Sequence, residues 1–599
     1  MYENFFRIDG RHPWRDVSPE GYVDYPVHYR KGGRVIYFNF ELAKEMGLIP
    51  KNHRNRLTPK LEAAILKTFA LQILNEYDWV NRDKFPKDHL TDRLYMATRY
   101  LQSQHKNKQG KTSGDGRSIW NGCIRKHKRT FDLSSRGTGA TILSPGAQEA
   151  RGEIRTGSNQ YGYASGLADL DEMLSSAVMS EIFYREGIPT ERCLTVIDFG
   201  DKTGIGVRTA PNLIRPAHMF RYLKMNLHKE LKASFDYFIK RQKDNGAWTF
   251  SLQGKGRYLK ALEQLTRTYA RLVALMEEEY IFNWLAWDGD NMLADGAILD
   301  YGSIRQFAAK HDKYRYEDVD RFSTSLKEQR VEARNIVKTF AQVVDFIMKG
   351  EKRPLADFDN VSVLKLFDEC YNLERQKKML WRVGFTPEHI ETLVKDHQKE
   401  IEEFRKVLDY FETIKTKEGE YEVADGVDHP PIFLVRHILR ELPVFLSKNV
   451  KDNQWPQMDP ESFCNEMAAS YADKEDLKLT DYRKQKAIEF QQRYKDLVHA
   501  ASSDPMAVLA EVTERSSVVN YEFRSTGDGV TWIVTEAIKV IDKMHQREFQ
   551  EAIERFIQSQ VLVPGKWKPI DQAELEGESM KSRLLRRIQK NLEIHKELI

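Results

Sequence analysis

The stretch W-D-G-D-N-M-L-A-D-G-A-I-L-D-Y-G, Trp287–Gly302, constrains this chain more tightly than any other. Met292–Leu293 and Ala297–Leu299 are apolar runs, and the turn dipeptide Asp295-Gly296 lies between them, so the segment predicts a tight hairpin. A hairpin this short folds its open ends together. Asp290 and Asn291 at the entry are thereby set beside Asp300 at the exit, over a small apolar support. Two carboxylates and an amide oxygen that converge are either an acidic surface hairpin or a seat for a hard cation. Such oxygen donors suit Mg²⁺ held jointly by protein and nucleotide phosphates.

Composition narrows the setting. At 599 residues the chain exceeds one ordinary domain, and length predicts about three or four units. A hydrophobic content of 41% with 30% charged residues describes a soluble globular protein able to bury a large core. Lys+Arg 93 against Asp+Glu 89 gives no case for nucleic acid as a partner. No apolar run approaches the roughly 18 residues of a membrane helix, so no membrane partner is expected. The beginning, M-Y-E-N-F-F-R-I-D-G, reads as neither a signal peptide nor a transit peptide. Cys123, Cys193, Cys370 and Cys464 show no metal-ligand spacing and read as reduced thiols of a cytoplasmic protein.

The chain changes character along its length. Residues 1–90 are mixed: Phe38–Pro50 reads as a short helix and Leu61–Tyr77 as an amphipathic one. The basic polar stretch Ser103–Thr112 leads into S-G-D-G-R-S-I-W-N-G, a glycine-rich turn flanked by potential strands. Phe131–Thr141 is a strand entering a second glycine-rich turn. Ser144–Gly166 reads as a mobile loop, and Leu167–Gly187 as a helix stopped by its glycine. Cys193–Phe199 and Gly204–Val207 then read as paired strands. From Met219 onward the pattern is helical almost throughout. Gly256–Leu285 runs straight into the hairpin, and helices are predicted over Tyr316–Met348, Leu364–Val383, Pro387–Thr413, His437–Ser447, Asp481–Ala500 and Val530–Gln560. Asp425–Pro431 reads as a linker, and K-S-R-L-L-R-R-I-Q-K near the end as a basic helix with a solvated face. The expected division is a mixed region at 1–90, a β-rich lobe at 91–225, a helical lobe at 226–415 and a helical region at 416–599.

Protein kinases build a metal site from a catalytic-loop Asp and Asn, a hairpin and Asp-Phe-Gly, and Asp300-Tyr301-Gly302 would take that last role. With the other pieces in order, the chain resembles the selenoprotein O family, kinase-like proteins that transfer AMP to protein hydroxyls. Phe38–Pro50 is similar to that family's N-terminal helix, and Gly114-Asp115-Gly116-Arg117 to its glycine loop. F-D-L-S-S-R-G-T-G sits where the family has aromatic-D-L-x-x-K-G-x-G, G-I-P-T appears intact at Gly187–Thr190, and R-T-A-P-N-L-I-R, Arg208–Arg215, keeps its arginine pair. D-G-D-N-M with D-Y-G is similar to N-T-D-N-M with D-Y-G at the same spacing. Weaker likeness continues through Met379–Phe385 and Val518–Ser525, so the resemblance covers most of the chain and makes the acidic-hairpin reading a minor one.

The resemblance implies an α+β, protein-kinase-like two-lobed fold, with a β-rich N-lobe, a helical C-lobe and a large helical C-terminal region. It implies ATP as substrate, inverted relative to a kinase so that its α-phosphate meets a Ser, Thr or Tyr hydroxyl of a protein substrate. Asn291 and Asp300 would hold Mg²⁺ or Mn²⁺, Asp290 would be the base or orienting group, and Arg208 and Arg215 would clamp the γ-phosphate. Gly114, Asp115, Gly116, Arg117, Arg136 and Gly137 would complete the nucleotide site. Several departures stand out. Arg136 replaces the family's phosphate-binding lysine, a swap that is not conservative. Ser176 replaces the helix glutamate that orients it, with Glu172 one turn earlier as a substitute partner. Trp284 and Asp288 replace a histidine and an asparagine, and Y-G-Y-A-S-G-L-A, Tyr161–Ala168, has lost an Arg and an Asp. The end, L-E-I-H-K-E-L-I, lacks the redox Cys or selenocysteine of some members. The resulting expectation is a Mg²⁺-dependent protein adenylyltransferase. The alternatives are a nucleotide-binding scaffold of impaired catalysis and a protein kinase.

Overall fold

The computed structural model describes residues 2–597 apart from 104–108, 159, 162–164, 315–321, 420, 424–425, 452–453 and 527. Outside the described residues lie most of the basic stretch after Ser103, the middle of Tyr161–Ala168, the start of the helix expected from Tyr316, the first residue of the Asp425–Pro431 linker, and the last two residues of the tail.

Eight strands form one antiparallel sheet: β1 (Tyr22–Tyr29), β2 (Arg34–Phe38), β3 (Leu71–Ile73), β4 (Leu90–Thr98), β5 (Ser118–Lys126), β6 (Arg129–Arg136), β7 (Arg192–Asp198) and β8 (Gly204–Ala210). Their order is β2-β7-β8-β6-β5-β4-β1-β3. β7 and β8 are buried along their whole length, because both faces of the sheet are covered there. Side chains alternate across a strand, so Val196 faces the helix Leu170–Glu186 and Ile197 faces an apolar layer that includes Phe5, Phe38 and Ile65, while a bulge between Cys193 and Thr195 turns Leu194 into that same layer. Gly187, with φ of 83°, ends that helix in the left-handed conformation.

Residues expected as a mixed, largely helical region contribute three of the eight strands. The helix predicted over Leu61–Tyr77 is Pro59–Phe69, capped by the Thr58 hydroxyl. The chain then pairs Leu71–Ile73 with β1, a strand too short to show a period of its own inside an apolar window. Phe38 is likewise the end of β2, and only Phe40–Glu45 is helical. A short helix, Pro145–Ala150, occupies part of the predicted loop.

The helical half follows the predicted pattern with breaks. Pro387–Thr413 is two helices meeting at His397, and the stretch from Val530 to Gln560 is Gly529–Ile538 followed by Gln546–Gln560. Helix Gly256–Glu278 stops short of the hairpin. Ile281–Asn283 leaves it as a strand paired with Ile304–Gln306, so a two-stranded ladder frames the stretch that carries the acidic residues. The largest apolar core joins helix Leu170–Glu186 to the helices between 216 and 371 and to those between 529 and 592. Helices between 379 and 512 enclose a second core of their own. The last helices therefore return to pack on the helix that backs the sheet.

Candidate active site

The hairpin forms around a single antiparallel bridge, Met292 to Ile298, with Leu293 N–H donating to Ala297 O at 2.9 Å. Gly296 holds the turn at φ of 81°, a conformation glycine adopts without strain. The G-I-P-T segment braces one side: Ile298 N–H donates to Pro189 O and Glu191 N–H to Ile298 O, each at 2.9 Å. Tyr301 is buried under the helix Leu170–Glu186, its ring 5.9 Å from that of Phe183. Asp300, just before it, sits at φ of 69°. A non-glycine residue there is strained by roughly 1–3 kcal/mol and needs its surroundings to hold it. One restraint is visible: Asp300 N–H donates to Glu191 Oε1 at 3.1 Å.

The Asp300 carboxylate meets an arginine cluster. Arg136, at the end of β6, donates through one nitrogen both to Asp300 Oδ1 at 2.6 Å and to Glu172 Oε1 at 2.9 Å. Arg117 forks onto the same Glu172 at 2.9 and 2.6 Å. Glu172, one turn before Ser176, thus pairs with both arginines, while the Ser176 hydroxyl donates only to the Glu172 peptide oxygen. Burial pushes both carboxyls up, but Arg136, Arg208 and Arg215 hold Asp300 well below the usual range, and Arg136 and Arg117 hold Glu172 down. Burial opposes the charge of Arg136, yet Asp300, Glu172 and Glu191 together keep it firmly protonated.

At the other end of the hairpin the balance reverses. Asp290 is buried, and Oδ2 accepts from Gln102 Nε2 at 3.2 Å while Oδ1 has no partner. Burial and the neighbouring Asp288 carboxylate raise it well above the ordinary carboxyl value. Asp288 is itself buried and raised, partly relieved by the Ser103 N–H at 2.5 Å. Arg215 reaches Asp290 only at its peptide oxygen. Asn291 donates its Nδ2 to Trp284 O at 2.7 Å, which fixes the amide and leaves Oδ1 as the atom able to meet a cation. The oxygen donors of Asn291 and Asp300 fit Mg²⁺ in kind, although one Asp300 oxygen is engaged by Arg136.

Arg208 is buried with Nε and Nη1 unpartnered, its Nη1 3.7 Å from Glu191 Oε2, which has no hydrogen-bond partner either. Burial lowers the Arg208 pKa, as do Arg215 and Arg136, and Glu191 offsets this only in part. The spaces flanking Arg208 are only 10 and 20 Å³, room for about one water each. The glycine loop is turned to packing: Asp115 Oδ2 accepts from Thr98 N–H, Thr98 Oγ1 and Trp120 Nε1. A Cβ on Gly114 would lie 2.0 Å from Thr98 O. Gly116 accepts from Thr141 N–H at its peptide oxygen, and Gly137 N–H donates to Arg117 O. Glu191 went unremarked in the sequence because it follows G-I-P-T as one more surface-type residue; only the fold buries it against Asp300.

The fold also gathers His12, Cys123 and Asp132, with possible ligand atoms within 4.8 Å of one another. Arg241 and His12 bond the Asp132 carboxylate directly, so a guanidinium already supplies the positive charge there. No helix among the described residues is long and apolar enough to cross a membrane.

Residues 49–556 match the model of the family described as protein adenylyltransferase SelO. The protein nucleotidyltransferase YdiU of Clostridium perfringens (strain SM101 / Type A) is 26% identical over 281 residues, 45% of this chain and 48% of that protein. The protein of the same description from Anoxybacillus flavithermus is 30% identical over 199 residues, 32% of this chain and 36% of its own length. The chain thus spans about half the length, or less, of these curated relatives.

Proposed function

The chain belongs to the protein adenylyltransferase SelO family, and from that premise we propose that it transfers AMP from ATP to a Ser, Thr or Tyr hydroxyl of a protein substrate. The observation that carries this reading is the double pairing of Arg136. A lysine-to-arginine change and a lost helix glutamate would each disable a kinase-like site. Here Glu172 sits in reach of Arg136, and both approach Asp300, so a cation flanked by a helix carboxylate and the D-Y-G carboxylate is retained. Arg136, Arg208 and Arg215 would receive the phosphates, with ATP inverted so that the α-phosphate faces the substrate. Asn291 and Asp300 would hold Mg²⁺ or Mn²⁺, which when bound supplies charge against the leaving pyrophosphate. Asp290 would orient or deprotonate the hydroxyl. The sheet and the helices from 226 onward would act as two lobes closing on these groups.

A second reading has an observation of its own. Arg136 engages a metal-ligating oxygen of Asp300, and the spaces beside Arg208 are too small for a phosphate. Both suit a scaffold whose site is closed by its own arginine. Incubation with α-labelled and, separately, γ-labelled ATP plus Mg²⁺ or Mn²⁺ decides between them. Protein label from α-labelled ATP is the expected result. Label from γ alone means phosphorylation, and label from neither supports the scaffold.

A further inference from the structure

Away from the arginine cluster, the tip of the acidic hairpin faces a separate pocket of 280 Å³. Phe131, Tyr184, Ile188, Pro211 and Ala297 give it an apolar wall, and Asp295, the first residue of the hairpin turn, supplies a carboxylate. Ligand pockets are built in this way, mostly apolar with a few placed polar groups, and typically enclose about 300–1,000 Å³; this one is fragment-sized.

The charges at its mouth are unequally matched. Arg129 and Arg192 both bind Glu45, at 2.6 and 3.0 Å, Arg192 also binds Glu181 at 2.9 Å, and the two guanidiniums lie over the Phe131 and Tyr184 rings at 5.3 and 3.6 Å. Asp295 has no such partner. Its Oδ1 accepts only the Ala297 N–H of its own turn, at 3.3 Å. Among the described residues it forms no ion pair with Lys, Arg or His. Burial with no compensating cation pushes its pKa up to about 6, the condition a bound ammonium would relieve.

We propose that this pocket binds a compact aromatic or aliphatic amine, with the apolar body against the wall of Ile188, Pro211 and Ala297 and the protonated nitrogen on Asp295. The Asp295-Gly296 turn joins the strands that run to Asn291 and Asp300, so the occupant would bear on the hairpin that carries the proposed metal ligands. Binding itself is independent of the transferase reading and is measured directly.

The test is calorimetric titration of the full chain with phenethylamine, 2-phenylethanol and phenylacetate at pH 7.5, repeated on Asp295→Asn. The amine should bind, and the alcohol should bind about three- to ten-fold more weakly, the discounted worth of a charge-assisted bond at a carboxylate that keeps some contact with solvent. Asp295→Asn should weaken the amine by a similar factor and leave the alcohol little changed. No detectable amine binding, equal binding of amine and alcohol, tighter binding of phenylacetate, or amine binding unaffected by Asp295→Asn would each overturn the proposal. The three-ligand comparison on the unsubstituted protein needs no variant to fold.

Discussion

At Asp300 the guanidiniums of Arg136, Arg208 and Arg215 act on one carboxylate, whereas at Asp290, on the other end of the same hairpin, two carboxyls share one amide donor and a few N–H groups. The first end is held ionised and the second is driven toward its neutral form. Residue type is the same in both; the surroundings set the charge state. The contrast suits a division of labour, since a metal ligand must be anionic while a group handling a hydroxyl proton must be able to change state. It also shows where the site is poised. Asp290 accepts a proton only after it has ionised, so something must first weaken the hold of burial and of Asp288.

Asp300→Ala strikes the cation-rich end hardest. Loss of a metal carboxylate is expected to cost several kcal/mol in the transition state, about a thousand-fold or more in AMP transfer. Arg136 keeps Glu172, so the unfolding midpoint should move by only a few degrees. Transfer measured with α-labelled ATP at the unsubstituted rate would remove Asp300 from the site. Asp290→Asn strikes the other end and should slow transfer on the order of a hundred-fold, the low side of general-base effects, with ATP affinity by calorimetry little altered. A parallel loss of affinity would instead make Asp290 part of the nucleotide seat.

Arg136 links the comparison to the choice between enzyme and scaffold. If its guanidinium binds a phosphate, Arg136→Ala removes a charge-assisted contact worth about 1.5–3 kcal/mol, a ten- to hundred-fold loss in binding or transfer. Arg136→Lys should retain much more, provided Glu172 still reaches the shorter cation. If Arg136 is a plug, alanine should bind ATP as well as the parent or better, with no transfer in either. Calorimetry and label transfer on the three proteins separate these outcomes.

The hairpin was legible in sequence because its geometry is local: Asp295-Gly296 between two apolar runs brings Met292 beside Ile298. The alternatives for Arg136 were legible too, since Glu172 precedes Ser176 by one turn and so shares its face. Three things were not. Glu191 lies in a segment whose burial depends on the non-local bridge between Thr190 and Ile298, which no window of sequence contains. The strands β1 to β3 are short or interrupted by Pro26, and their pairings, β1 with β3 and β4 and β2 with β7, are likewise long-range. The Asp115 carboxylate accepts from Thr98 at the end of β4 and from Trp120, hydrogen bonds of a buried loop that no local pattern announces.

The mildest change addresses the electron-rich end alone. Asp288 stands where the family pattern has asparagine, and its carboxylate is, after burial, the main group raising Asp290. Asp288→Asn keeps the shape and the acceptor oxygen for Ser103 N–H, gives up the longer bond from Asp290 N–H at 3.3 Å, and removes one negative charge. Asp290 should then ionise at lower pH, so the acid limb of the transfer rate against pH should shift toward acid, with a few-fold gain at the foot of that limb. Stability should change with the matching sign. A carboxyl raised by folding favours the native state below its unfolded value, and that contribution is lost as pH climbs through the folded value. With Asp288 neutralised, less is gained at low pH and less is lost on the way up, so the variant's stability should fall less steeply across that window. Denaturant midpoints across the pH range of the rate profile check this independently of catalysis. If the rate limb shifts while the stability curve does not, the titrating group seen in the rate lies on substrate or nucleotide rather than on Asp290.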